Sequence, residues 1–443
     1  MNRALASMPF AIRNRLLAGG LAAATGLSML CSAAPASAAS YTYKVVPDLN
    51  TMKLSDWTNC DTACRNDLRS PDGVYAMPDP NNSPDITPAQ WGPILSYMTN
   101  TFTWPVYAED LYDCAFKDTN NNNGRLAALY TGRLDGWMVY REPGGYTCYN
   151  VIDPNKSNTL SVSEINGVNA RFLGGVSAAG KIIVHARAYD GLREDSGSTL
   201  TRAQRIDAAL SNANTGGLLI EQNPQGVPTV GWNIPYSLWK ARSLGKRALL
   251  LLPPIDANEQ NYLGKIHLMM KALEMDTATN LLGNGVVIVP AVYGGRVGIS
   301  NASFGLPSNS LRAVMKHLKN VRAKGLSFAA DNNFAVTGWL DAVERVPTGG
   351  VVVKGWACAR NWEDSINVHI YVENVAVMSV TANLASEGAV AASCSSTGTA
   401  YRFNQFFPES ARVANVGKRV YVYGISPFDL ANNGLLGNGK PVP

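Results

Sequence analysis

Hydrophobic and polar positions along the chain fall into two textures that change over after Asp331. In the first, short apolar runs alternate with helix-patterned stretches. Candidate strands cover 43–46, 103–107, 136–141, 181–188, 217–220, 247–252, 285–292 and 325–329. The later runs are continuously apolar rather than alternating, as expected of strands covered on both faces. Helix starts are marked between them by Thr87-Pro88-Ala89-Gln90, Ser161-Val162-Ser163-Glu164 and Thr201-Arg202-Ala203-Gln204. All three have the capping-box form, with Pro88 at the first helical position. Tyr262, Ile266, Met269 and Leu273 recur at helical spacing, as do Leu311, Val314, Met315, Leu318 and Val321, which makes them core stripes. Eight strands with crossover helices predict an α/β fold, a (β/α)8 barrel over 40–335. A doubly wound open sheet is the alternative, but no glycine-rich phosphate turn supports it.

Beyond Asp331 the strands are short, turn-separated and alternating: 351–357, 366–372, 375–380, 401–407 and 419–423. This predicts a smaller all-β sandwich domain over 336–443. No long Pro/Ser linker separates the two parts, so they are expected to dock.

Three apolar runs of the first part lead into a carboxylate: Glu142, Asp190 and Glu221. Numbered by the candidate strands, they follow the third, fourth and fifth, and Asp256 follows the sixth. The carboxyl ends of the strands are where sites are built in such folds, so the acids can converge over one pocket. Glycoside hydrolysis needs one protonated and one ionised carboxyl group, about 5 Å apart for retention and roughly 6.5–9.5 Å for inversion. Glu221 is the first choice for a catalytic role, with Glu142 and Asp190 as partners. The bland alternative is that these acids cap helices or pair with Arg141, Arg187 and Arg193. Substrate contacts are expected from Trp137, Arg187, Asn223, Trp232, Asp256 and Tyr293, because the apolar face of a pyranose stacks on aromatic rings. Trp239 lies in a helix-patterned stretch and is expected in the core.

The first 39 residues read as a signal peptide. Arg3, Arg13 and Arg15 form the basic end, 16–30 the apolar stretch, and Ala36-Ser37-Ala38 the cleavage site. The 443 residues carry a net charge of +5; the leader holds three arginines and no acid, which leaves +2 for the rest. That balance gives no reason to expect nucleic acid or a membrane as partner; a monomer that meets a polysaccharide or oligosaccharide is expected. Six cysteines follow the leader, and export suggests disulfides in the order Cys60–Cys64, Cys114–Cys148 and Cys358–Cys394. The predicted location is extracellular, with the periplasm as the alternative.

Asp153, Asn155, Ser157 and Glu164 fall at oxygen-ligand positions of an EF-hand-like loop, a weak calcium candidate. Asn158 replaces the usual glycine, and the Ser161 capping box already explains Glu164. No cofactor is otherwise expected. The four histidines form no His-x-His or His-Glu-x-x-His constellation, and no Gly-x-Ser-x-Gly elbow or P-loop is present. These absences disfavour metallohydrolase, esterase and nucleotide chemistry.

Gly338-Trp-Leu-Asp341, Gly355-Trp-Ala-Cys358, Val368-His-Ile-Tyr371, Ala400-Tyr-Arg-Phe403 and Val422-Tyr-Gly-Ile-Ser-Pro427 carry a resemblance. The last hundred residues or so resemble an accessory β-module appended to secreted bacterial proteins, including polysaccharide-degrading enzymes. The resemblance implies secretion and modularity, and leaves the chemistry of the first part open. The barrel region looks like (β/α)8 glycoside hydrolases in organisation only. The expectation is a secreted glycoside hydrolase acting on a polysaccharide through paired carboxylates. The alternatives are a non-catalytic glycan-binding or adhesion protein, and a polysaccharide lyase using Arg141, Arg187 and Tyr293.

Overall fold

Eight parallel strands run in the order β1-β8-β7-β6-β5-β4-β3-β2. They are β1 (Lys44–Val45), β2 (Val74–Ala76), β3 (Val106–Asp110), β4 (Leu134–Val139), β5 (Ile182–Arg187), β6 (Thr215–Glu221), β7 (Arg247–Leu251) and β8 (Val286–Val289). Neighbours in space are thus neighbours in sequence, apart from the β1–β8 pair, which is the strand order of a (β/α)8 barrel. The computed structural model describes residues 41–49, 52–76, 106–110, 134–139, 182–187, 215–221, 233–252, 262–275, 282–283, 286–290, 310–429 and 432–443, with helical positions at 90, 93–94, 97–98, 207 and 210. Described residues of both textures belong to one compact unit, Ala39–Pro443.

The edge of β1 that does not face β8 meets the segment just before β2. The Val45 N–H donates to Asp72 Oδ2 at 2.9 Å, and the Ser70 hydroxyl donates to the Val45 carbonyl. Both Ser70 and Asp72 lie just before β2. The other edge of β1 is on β8, where the Val46 N–H donates to the Ile288 carbonyl at 3.0 Å. A two-residue strand therefore has its backbone satisfied on both sides, as a buried strand requires.

The described helices of this part are α1 (Leu54–Asn59), α2 (Thr62–Leu68), α3 (Asn233–Ser243), α4 (Tyr262–Met275) and α5 (Leu311–Lys324). Ser310 caps α5 by accepting from the Ala313 N–H at 3.1 Å, and Gly325, at φ +60°, ends it in the left-handed conformation that glycine adopts at low cost. Both stripes read from the sequence are buried: Tyr262, Ile266, Met269 and Leu273 on α4, and Leu311, Val314, Met315, Leu318 and Val321 on α5.

The structure corrects the identity of one of the eight strands. Residues 325–329 are not a strand. They follow the α5 cap, and Phe328 is buried against His267 and His317. The strand that fills the set is β2, three residues long and not foreseen. Hence Glu142, Asp190 and Glu221 belong with the fourth, fifth and sixth strands, and Asp256 follows the seventh. Trp239 lies on a helix as expected, but is 44% exposed rather than in the core.

After a short 3-10 turn come β9 (Val336–Arg345), β10 (Val351–Ala359), β11 (Asn367–Val372), β12 (Val375–Thr381), β13 (Leu384–Ala385), α6 (Gly388–Ser393), β14 (Ala400–Phe407), α7 (Glu409–Val413), β15 (Arg419–Gly424), β16 (Gly434–Leu435) and β17 (Lys440–Pro441). They form two antiparallel sheets, β13-β14-β10-β9 and β12-β11-β15-β16, with β17 paired to β15. Val351 and Val353 of one sheet and Ile370 and Val422 of the other share a core with α4 and α5. The two Gly-Trp pairs face each other across β9 and β10. A Cβ at Gly355 would lie 2.2 Å from the Trp339 carbonyl oxygen, and one at Gly338 would lie 2.4 Å from that of Trp356. Close strand approach is the reason for both glycines.

The second part docks on α4 and α5. Trp362 and Phe428 pack with Phe328, Phe334, His267 and His317 in one buried aromatic cluster. Around it, Lys316 pairs with Asp364 at 2.7 Å, and the Asn320 amide donates to the Asn361 carbonyl at 2.7 Å. Cys60–Cys64 and Cys358–Cys394 are disulfide-bonded; Cys114 and Cys148 lie outside the described residues.

Candidate functional site

The carboxyl ends of the parallel strands form the candidate site, and register places the residues that reach it. Glu221 is the last residue of β6. Its backbone is in register with Arg187, the last residue of β5, and with Leu251, the last of β7. Adjacent parallel strands lie about 4.8 Å apart, so a carboxylate-bearing and a guanidinium-bearing position stand side by side on the rim. Trp137 sits two residues short of the end of β4, in register with Ile182 of β5 and Ala108 of β3.

The end of β3 adds two acids to the four read from the sequence. β3 ends on Glu109-Asp110, with Asp110 in register with Val139, the end of β4. The apolar pattern predicts this strand over 103–107, whereas it runs over Val106–Asp110. The signal was available: Val106-Tyr107-Ala108 is a short apolar run ending on acids, the same pattern that singled out Glu221.

Glu142, Asp190, Asn223, Trp232, Asp256 and Tyr293 lie outside the described residues, as do the calcium candidates Asp153, Asn155, Ser157 and Glu164. By chain order, Glu142 comes three residues after the end of β4 and Asp190 three after the end of β5. Four consecutive strands, β3 to β6, therefore end on an acid or run into one within three residues. Among the described residues, no group of three or more His, Cys, Asp or Glu is arranged to hold a metal ion. No described helix is long and apolar enough to cross a membrane.

No family model matches this chain, and no curated protein matches it. Solved structures give similarities of low score. A modular endo-β-1,4-mannanase from Cellulomonas fimi aligns over 90% of this chain and 93% of its own, at 10% identity and a TM-score of 0.38. Xylanase 10B from Thermotoga petrophila aligns over 64% and 94%, at 11% identity and 0.38. Dihydropteroate synthase from Anaplasma phagocytophilum aligns over 63% and 99%, at 11% identity and 0.33. At such scores none of these similarities carries an argument about this chain, and the fold described above rests on its own strand order.

Proposed function

We propose that this chain is a secreted glycoside hydrolase, a closed (β/α)8 barrel followed by a β-sandwich, that cleaves a polysaccharide through paired carboxylates. The observation that carries the reading is the run of acids at or just after the carboxyl ends of β3, β4, β5 and β6. Glu221 is assigned one catalytic role, as nucleophile or base. Its partner, the protonated acid that releases the leaving oxygen, is Glu142, with Asp190 next in order. Arg187, whose backbone is in register with Glu221, is assigned to the substrate alongside it. Trp137, Trp232 and Tyr293 are assigned to stacking on the sugar, and Asn223 and Asp256 to its hydroxyls. The two disulfides and the leader-like first 39 residues support an extracellular location.

The test is the mature protein incubated with galactomannan, xylan, β-glucan and polygalacturonate, scoring new reducing ends and absorbance at the wavelength of an unsaturated product. New reducing ends without that absorbance fit hydrolysis. Absorbance would move the chain to lyase chemistry, and no release on any substrate would move the barrel to recognition only.

A further inference from the structure

The second sheet of the C-terminal part has an outer face that the core does not use. Along β11 and β15 the inward residues Val368, Ile370, Val422 and Gly424 are buried, while His369, Tyr371, Tyr423 and Ile425 alternate with them on the other face and stay half-exposed. His369 is in register with Tyr423, which puts the imidazole and phenol positions side by side. An open groove of about 340 Å³ lies over this face, edged by Glu373 at the β11–β12 turn and by Asn433.

The chemistry of the lining is specific. The rings of Tyr371 and Tyr423 have centroids 5.4 Å apart and planes at 80°, so they make a corner rather than a flat platform. Neither tyrosine hydroxyl nor either His369 ring nitrogen has a hydrogen-bond partner among the described residues. The two edge residues, by contrast, are held in place. Glu373 Oε1 accepts from the Arg419 N–H at 2.6 Å, and Asn433 Oδ1 accepts from the Ser426 N–H at 2.8 Å. This engages one carboxylate oxygen of Glu373, and it turns the amide oxygen of Asn433 toward Ser426. Among the described residues no lysine or arginine lines the groove, and Nη2 of the nearby Arg419 donates to the Asn438 and Gly439 carbonyls.

We propose that this groove is a second binding site, for one or two neutral pyranose units of a saccharide chain, independent of the barrel. A pyranose has an apolar C–H face and an equatorial belt of hydroxyls. Its face lies on one tyrosine ring while its rim meets the other, which an 80° corner accommodates and a flat polymer surface does not. The hydroxyl belt then meets groups that lack protein partners: the phenol hydroxyls, His369 and the outer oxygen of Glu373. Burying such groups under a ligand costs little when each gains a hydrogen bond, and a carboxylate makes the stronger kind. Glu373, with no cation in the lining, selects against uronates and sulfated glycans.

The test is affinity electrophoresis of the full mature chain in gels containing galactomannan, xylan or hydroxyethylcellulose, with polygalacturonate as the anionic comparison. Retardation is expected in at least one neutral gel and not in polygalacturonate. In that gel the double variant Tyr371→Ala/Tyr423→Ala should lose at least tenfold in affinity, with a thermal midpoint close to the wild type. His369→Ala/Asn433→Ala, which leaves both rings in place, should lose severalfold. Absence of retardation in all three neutral gels would overturn the proposal. So would retardation that both double variants leave unchanged, which would assign binding to the barrel, or retardation by polygalacturonate alone. Reducing ends scored on the same preparations separate the two readings: hydrolysis without retardation removes this site alone, and retardation without hydrolysis removes the enzyme alone.

Discussion

His267 Nδ1 on α4 and His317 Nε2 on α5 lie 3.1 Å apart, one donating to the other, in the aromatic cluster where the two parts of the chain meet. His317 Nδ1 has no partner there. Phe334 and Phe428 press on both rings, with centroids 4.5–5.3 Å away. Burial holds His267 down to about 4, helped by Lys271 and opposed by Asp429 and Asp331. Burial and the neighbouring His267 hold His317 well below the ordinary imidazole value.

A pH dependence follows from this pair. Both imidazoles are kept neutral in the folded chain at pH values where the unfolded chain would protonate them. Their contribution to stability is complete above about pH 6.5 and is lost as pH falls toward 4. For His267 alone the loss is on the order of 3 kcal/mol. Urea unfolding midpoints from pH 8 to pH 4 should decline steeply below 6.5, and His267→Phe should flatten that decline by about one proton. Parallel profiles for the two proteins would contradict it.

Asp72 is the residue that joins β1 to the segment before β2. Its carboxylate accepts from the Val45 N–H and also pairs with Arg322 of α5, which in turn donates to the Tyr43 carbonyl. Asp72→Ala strands a backbone donor and a guanidinium together, at a cost of about 2–4 kcal/mol. Asp72→Asn keeps one acceptor and should recover part of that loss. Equilibrium urea unfolding of the three proteins checks the order.

The two described disulfides should differ in worth. Cys358–Cys394 closes a separation of 36 residues and Cys60–Cys64 one of four. The chain-entropy relation gives about 4 kcal/mol for the first and about 2 kcal/mol for the second. Replacing each pair by alanines and comparing thermal midpoints should show the larger drop for Cys358→Ala/Cys394→Ala.

Much of the fold was legible where burial follows a regular period. The continuous runs that became β5 to β8, the stripes on α4 and α5, and the alternation of β10, β11, β14 and β15 are direct imprints of one or two covered faces. The failures have physical causes. β2, of three residues, is too short to show any period, whereas β1 falls inside the predicted 43–46 run. Residues 325–329 read as a strand because Phe328 is apolar, but it is buried against Tyr41, His267, His317 and Phe334, tertiary contacts that local pattern cannot separate from a sheet. β9 lies outside the predicted strands because its positions are mostly half-buried or exposed, Leu340 alone being buried, which leaves no apolar alternation to read. Of the candidate site, the rim position of Glu221 was legible as an apolar run ending on an acid. Asp110 obeys the same rule, but lies beyond the 103–107 run that the apolar pattern predicts as the strand.

The central claim is that two rim carboxylates act as a pair, and comparison of four single variants tests it most directly. Glu221→Gln, Glu142→Gln, Asp190→Asn and Asp110→Asn should be assayed for release of reducing ends on the substrate that the wild type cleaves. Glu221→Gln and Glu142→Gln should each lower kcat at least a hundredfold, while Asp110→Asn stays within about tenfold. Wild-type rates in Glu221→Gln would contradict the account.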